Sequence, residues 1–250
     1  MINKFKRREV KAREVFCIKE ISKKEAFNFI KDNHYLGDAR FFSVENIGLI
    51  NKVDGDLVGV ASYSLPQGNV TLKGWFGLDN TEKRVLELVR LAVIPALNNS
   101  NATSFLLGNS IKILERNGYR AVITLADSSR HVGSIYQVCN FKYYGKTDFK
   151  KDFYRADGKI NPRGKTKGVK GVWIDRSVKH RYAYVMDDSL EVLYREESRP
   201  KIDNISSVEC CGGEGIVEDR RSGVYYECPK CFIKKFRNRG LLEVNSYEND

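Results

Sequence analysis

The short apolar run Ala121 to Leu125 (AVITL), with three β-branched residues, reads as a buried strand, and Asp127 falls just past its C-terminal end. A carboxylate at the end of a buried strand sits where α/β folds place their chemistry. The spacing predicts a helix directly afterwards, capped by Ser128 and Ser129. Its Ile135, Val138 and Cys139 would form the buried stripe, with Tyr136 off to one side. Gly118 and Gly145 bracket the unit as turn residues.

The rest of the chain supplies strands and helices in alternation. Val15 to Ile21 is expected as a strand, and Ser22 with Glu25 forms an S-x-x-E capping box for a helix to about Lys31, with Ala26, Phe29 and Ile30 inward. His34 and Tyr35 emerge at that helix's end. Phe41 to Asn51 and Leu57 to Leu65 read as strands joined through Asp54-Gly55, a hairpin turn signal. Leu86 to Ile94 is a further strand ended by Pro95, and Thr103 to Glu115 a helix with Leu107, Ile111 and Leu114 on one face. The order from Val15 to Tyr144 is strand, helix, meander, strand, helix, strand, helix, strand. That is an α+β (α/β) chain with a mixed sheet flanked by helices.

Several side chains stand out from this frame. Arg90 lies within an apolar strand, and because an unpaired buried guanidinium is very costly it should pair with a carboxylate or a substrate anion. Asp127 serves either as a helix cap or, facing His34 and Tyr136, as a general base or one carboxylate of a metal site. His34 is either a hydrogen-bonded structural residue or a group that titrates near neutral pH and binds metal.

A His-Tyr pair after the first long helix, then Leu88-Val89-Arg90-Leu91, Ala126-Asp127, His131-Val132-Gly133, Tyr136-Gln137 and Asn140-Phe141-Lys142-Tyr143-Tyr144-Gly145 form a pattern that resembles the Mom DNA-modification family of bacteriophage Mu. The resemblance covers about Val15 to Tyr184. It implies a fold like that of GCN5-related N-acetyltransferases. It also implies conversion of adenine in double-stranded DNA to an N6-carbamoylmethyl form that blocks restriction enzymes, with iron as an active-site participant. The base must leave the duplex stack to be reached, and Tyr35 and Tyr136 are the candidates to stack on it. His34 and Asp127 would bind the metal or move the proton. In place of the glycine-rich phosphate loop usual in that superfamily, this chain has Ala96 to Ser104. There backbone amides and the hydroxyls of Ser100, Thr103 and Ser104 would cradle a phosphate of acetyl-CoA or a related group donor.

The net charge of +11 is unevenly spread. Residues 1–31 carry 10 basic and 4 acidic side chains and residues 146–181 carry 12 and 4, whereas residues 32–145 carry 11 and 10. Two basic blocks around a nearly neutral centre suit a polyanion. Asn161 to Gly171 (NPRGKTKGVKG) reads as a mobile basic loop.

Four of the six cysteines fall near the C-terminus. Cys228-Pro-Lys-Cys231 is a C-x-x-C knuckle, and with Cys210 and Cys211 it is expected to bind zinc. Cys17 and Cys139 read as core. The expected division is residues 1–194 as an acyltransferase-like catalytic domain and 195–250 as a linker with a small zinc-ribbon-like cysteine-rich appendage. No apolar stretch approaches the roughly 20 residues of a membrane span, and a cytoplasmic protein is expected. Besides adenine modification, two other functions fit these residues: acyl transfer from acyl-CoA to a protein or small-molecule amine, and zinc-containing, non-catalytic binding of nucleic acid.

Overall fold

The computed structural model describes residues 11–34, 41–67, 69–79, 81–97, 100–128, 131–156, 158 and 166–200. It also describes the backbone of 216–220, 223–227, 234–238 and 241–245. The elements are α1 (Ala12–Val15), β1 (Phe16–Glu20), α2 (Lys23–Asn33), β2 (Glu45–Asn51), β3 (Leu57–Ser64), α3 (Asn69–Phe76), β4 (Val85–Val93), a 3-10 turn (Pro95–Leu97), α4 (Ala102–Arg116) and β5 (Ala121–Asp127). They continue with α5 (Ser134–Val138), β6 (Lys142–Lys146), β7 (Lys150–Arg155), β8 (Gly171–Arg176) and β9 (Lys179–Val185). Strands β10 (Ile216–Arg220), β11 (Gly223–Glu227), β12 (Lys234–Asn238) and β13 (Leu241–Asn245) follow as an antiparallel meander. Seven strands form a mixed sheet in the order β1-β2-β3-β4-β5-β9-β6, and β7 pairs with β8 in a separate two-stranded sheet. This is the expected mixed sheet flanked by helices.

The chain gathers into two compact units. The first comprises Met1–Thr124, Val138–Phe141 and Ala183–Tyr194. There α2 begins as the capping box dictates: Glu25 N–H donates to Ser22 Oγ (3.2 Å), and Ser22 N–H donates to Glu25 Oε2 (2.9 Å). Its Ala26, Phe29 and Ile30 are buried and pack with Val60 and Ala92. On the other face of the sheet α4 buries Leu106, Leu107, Ile111 and Leu114. Its Ser110 Oγ meets the hydroxyl of Tyr63, a fully buried β3 residue one position out of phase with Val60 and Ser62. Fully burying a leucine or isoleucine contributes about 1.5–3 kcal/mol, so these two stripes clamp the sheet between the helices.

The first unit is also tied at one end of its sheet. Arg120, just before β5, donates to Asp187 Oδ2 (2.6 Å) and to Glu82 Oε2 (3.0 Å). The Ser189 hydroxyl and the guanidinium together hold the Asp187 carboxyl down at about 2.

The second unit comprises Leu125–Gln137, Lys142–Tyr182 and Arg195–Asp250. Among its described residues the core is aromatic: Tyr136, Tyr143, Phe153 and Tyr182 are all buried, and His180 is buried with them.

The strands begin and end close to their expected places, although β2 starts at Glu45, after an irregular stretch from Phe41. Helices α1 and α3 lie outside the expected order, and β7 to β13 follow beyond it. Of the stretch expected as a basic loop, residues 161–165 lie outside the described residues and Gly171 opens β8.

Candidate functional site

In the first unit the central strand carries an irregularity at the residue before Arg90. Ser62 pairs with Arg90 and Tyr63 with Leu88, so Val89 is the extra residue of a β-bulge. Bulges release a backbone group from the ladder and re-aim the neighbouring side chain, which is why they recur beside active sites. The guanidinium of Arg90 takes up that carbonyl: Nη1 donates to Val89 O at 2.7 Å. The guanidinium carbon stands 5.1 Å from the centre of the Phe41 ring, a cation–π arrangement worth about 0.5–2 kcal/mol. The expectation for this arginine is a carboxylate or a substrate anion; the partners described for it here include a backbone carbonyl and an aromatic face.

Register places three polar side chains in a row across three strands. Asn46 of β2 is opposite Ser62 of β3, and Ser62 is opposite Arg90 of β4. Ser62 Oγ donates to Asn46 Oδ1 at 2.8 Å, and both residues are buried. The row shares the face of Val60 and Ala92, which is the face covered by α2. His34 lies at the C-terminal cap of that helix, half-buried, its N–H donating to Ile30 O at 3.0 Å. The parallel ladder between β4 and β5 runs only over Val85–Glu87 and Ala121–Ile123. Where it stops, Thr124 Oγ1 donates to Leu88 O (3.1 Å). A sheet whose strands part beside a bulge, an arginine and a buried Asn–Ser pair can hold an anion or polarise a carbonyl.

Asp127 belongs to the second unit. It is half-buried at the last position of β5, and its carbonyl accepts from the His131 N–H (3.0 Å). The loop after it is locked from one side. The Tyr182 hydroxyl donates to Val132 O, and Gln137 Nε2 donates to that hydroxyl at 2.9 Å. Gly133 N–H donates to His131 Nδ1 (3.2 Å), so a neutral His131 carries its proton on Nε2. Tyr136 is buried with its ring centre 5.4 Å from that of Tyr182. The Tyr143 hydroxyl and His180 Nδ1 are 3.0 Å apart. Burial pushes the Tyr182 phenol up to about 12 and raises that of Tyr143. It also lowers His180, helped by the charges of Lys146 and His131. Burial thus favours the uncharged forms of Tyr143, His180 and Tyr182, and Tyr182 holds the loop after Asp127 through Val132 O.

The helix after Asp127 differs from expectation. It starts at Ser134, so Ser128 does not cap it: the Ser128 N–H donates to Val178 O (3.1 Å), and Ser129 lies outside the described residues. Its phase is also turned, since Tyr136 is the buried residue and Val138 is 63% exposed. A five-residue helix has too little period to set its own face, and Tyr182 decides it. His180 and Tyr182 were not anticipated. The period-two run His180, Tyr182, Tyr184 in Lys179–Val185 is the signal that points to them.

The other expected site residues are placed as follows. At the start of α4, Ser100 Oγ donates to Leu97 O (2.8 Å) and accepts from Ala102 N–H (3.1 Å), while Ser104 Oγ donates to Asn101 O (3.0 Å). Thr103 is half-buried in the first turn. Cys139 donates to Ser104 O (3.7 Å), and burial pushes its thiol up to about 11, which makes it an inert core thiol; Cys17 is half-buried. Tyr35 and the tail cysteines Cys210, Cys211, Cys228 and Cys231 lie outside the described residues. His34, Arg90, Ser100, Thr103 and Ser104 belong to the first unit, and Asp127 and Tyr136 to the second. Among the described residues no three His, Cys, Asp or Glu side chains are grouped to hold a metal ion. No described helix is long and apolar enough to cross a membrane.

Residues 15–201 match the Mom protein family. The chain belongs to the Mom protein family. No curated protein matches this Mom family chain. Its likenesses among solved structures include the ribosomal-protein-S18-alanine N-acetyltransferase from Escherichia coli, at 14% identity and TM-score 0.45, covering 72% of this chain and 99% of that one. They include a Bacillus subtilis acetyltransferase in complex with CoA, at 17% identity and TM-score 0.41, covering 68% and 97%. A third is a GNAT family acetyltransferase from Elizabethkingia anophelis with acetyl-CoA bound, at 15% identity and TM-score 0.42, covering 69% and 99%. Likeness at this level carries nothing about the donor or acceptor of the Mom family chain.

Proposed function

We propose that this Mom family chain is a transferase that places an acetamido (carbamoylmethyl) group on N6 of adenine in double-stranded DNA and so shields the DNA from restriction. The observation that carries the reading is the match of residues 15–201 to the family. The uneven basic charge supports a polyanionic acceptor, and the arginine at the β4 bulge supports a polar group held on the α2 face.

In this reading the N6 amine forms a bond to the methylene carbon of an acetamido donor, whose leaving group departs as N6 gives up a proton. Asp127 is the proposed proton acceptor, and His34 the proposed second acid–base group at the far end of α2. Arg90 is assigned to the donor's carbonyl oxygen or leaving anion. Ser100, Thr103 and Ser104 are assigned to a phosphate of a coenzyme A-type donor. Tyr35 is the proposed surface for a flipped base, and Tyr136 supports the loop after Asp127. Among the described residues no three His, Cys, Asp or Glu side chains gather to hold the iron that the family resemblance implies, and the roles proposed here are those of proton transfer and binding.

The test is mass spectrometry of nucleosides from the DNA of cells expressing the chain, beside Arg90→Ala and Asp127→Ala. A heavier deoxyadenosine is expected from the unaltered chain and is expected to vanish in both variants. An unaltered nucleoside pool in cells making folded protein would overturn the reading.

A further inference from the structure

Strands β7 and β8 form a two-stranded antiparallel ribbon that pairs from Lys150↔Arg176 to Arg155↔Gly171. One face carries Lys151, Phe153, Arg155, Trp173 and Asp175, and the other Lys150, Asp152, Tyr154, Val172, Ile174 and Arg176. Phe153 is buried, with Trp173 packed edge-on at 5.2 Å. Trp173 is nevertheless 58% exposed, and Val172 and Ile174 are 60% and 46% exposed. Three consecutive large apolar side chains thus face solvent on both sides of one strand, in a sheet of two strands.

A long, exposed, apolar strand invites a partner. The charge around it says which kind. Lys150, Lys151, Lys167 and Lys170 are exposed along the ribbon and its approach, and residues 146–181 hold 12 basic against 4 acidic side chains. The ribbon's own acids already face cations: Asp175 pairs with Lys151 at 3.3 Å and Asp152 with Arg176 at 3.9 Å. A two-stranded ribbon is of the size that the major groove of duplex DNA admits, where apolar side chains meet thymine methyl groups while flanking lysines meet phosphates.

We infer that the β7–β8 ribbon is the arm by which this chain grips duplex DNA, its β8 edge entering the groove so that Trp173 on one face and Val172 and Ile174 on the other both meet it, with Lys150, Lys167 and Lys170 on the phosphates. This rests on the reading of DNA as the acceptor.

The test is fluorescence anisotropy of a labelled random-sequence duplex titrated with the full chain over a series of salt concentrations. The triple variant Lys150→Ala, Lys167→Ala, Lys170→Ala is compared with a control of equal charge change in exposed lysines of the nearly neutral centre, Lys73→Ala, Lys83→Ala, Lys112→Ala. Removing one lysine–phosphate pairing flattens the slope of log affinity against log salt by about 0.9, so the ribbon variant is expected to flatten it by roughly 2.7. The control should leave the slope unchanged. Trp173→Ala should weaken binding while the slope stays the same. The two tryptophans differ in exposure, Trp75 being buried, so acrylamide quenches Trp173 selectively, and saturating duplex should protect it. A ribbon variant with unchanged slope and affinity, or an equal weakening in the control, overturns the inference and leaves the DNA reading standing. Failure of the unaltered chain to bind duplex at low salt overturns both.

Discussion

Gly133 and Tyr182 fit so closely that a Cβ on the glycine would lie 2.5 Å from ring carbon Cε2 and 3.0 Å from Cζ. The glycine also has a φ of +74°, in the left-handed region, and the Tyr182 hydroxyl donates to the carbonyl of its neighbour Val132. Backbone conformation and ring position therefore select glycine independently.

Gly133→Ala is expected to destabilise the chain by about 1–3 kcal/mol, through left-handed strain and displacement of a buried ring. Gly55→Ala is the control, because φ is +79° there but a Cβ would meet nothing within 4 Å. It should cost only the strain, about 1 kcal/mol. Chemical denaturation of the two variants side by side separates the terms. Equal losses would show that the Tyr182 ring gives way freely.

Acid should weaken the second unit through His180. Burial holds its pKa below the ordinary value of 6.5, so the unfolded chain takes up a proton more readily than the folded one. The stability is fully present above about 6.5 and is lost as pH falls from there toward the depressed folded value. Thermal melts across that range should show a falling Tm in the unaltered chain and a flatter profile in His180→Gln. An identical pH profile in the variant would remove His180 as the cause.

Arg90→Ala and Arg90→Lys should both lose DNA modification, by about 100-fold or more if the guanidinium stabilises developing charge. Lysine keeps the charge and not the planar fork, so it should rescue little. Nucleoside mass spectrometry reads the loss, and a thermal melt checks that the bulge at Val89 still folds. Activity retained in Arg90→Lys would mean that charge alone suffices.

Leu107→Ala removes a fully buried side chain on the α4 face of the sheet and should cost about 2–5 kcal/mol. Val138→Ala, at 63% exposure, should cost less than about 1 kcal/mol. Had Val138 lain in the buried stripe its amphipathic spacing suggests, the two losses would be comparable, and urea denaturation decides between them.

What the sequence by itself determined is local. The Ser22–Glu25 box sets the start of α2, and the stripe Ala26, Phe29, Ile30 sets its buried face, because eleven residues hold enough turns for a period of 3.6 to select a side. The same holds for Leu107, Ile111 and Leu114 in α4. Gly55 at the hairpin and Asp127 at the end of β5 follow from turn chemistry and from a β-branched run. Arg90 is conspicuous because a charge in an apolar strand is expensive. Tertiary structure alone decided the rest. Strand β9 enters the sheet between β5 and β6, and nothing local to β5 announces a neighbour from so far along the chain. Tyr182 on that strand accepts from Gln137 across 45 residues of sequence, and its ring buries Tyr136 while Val138 faces solvent. The bulge that gives Arg90 its carbonyl partner exists only in the register between β3 and β4. A side chain's period is written in its neighbours, whereas its partner is chosen by whichever distant element excludes water most completely at that place.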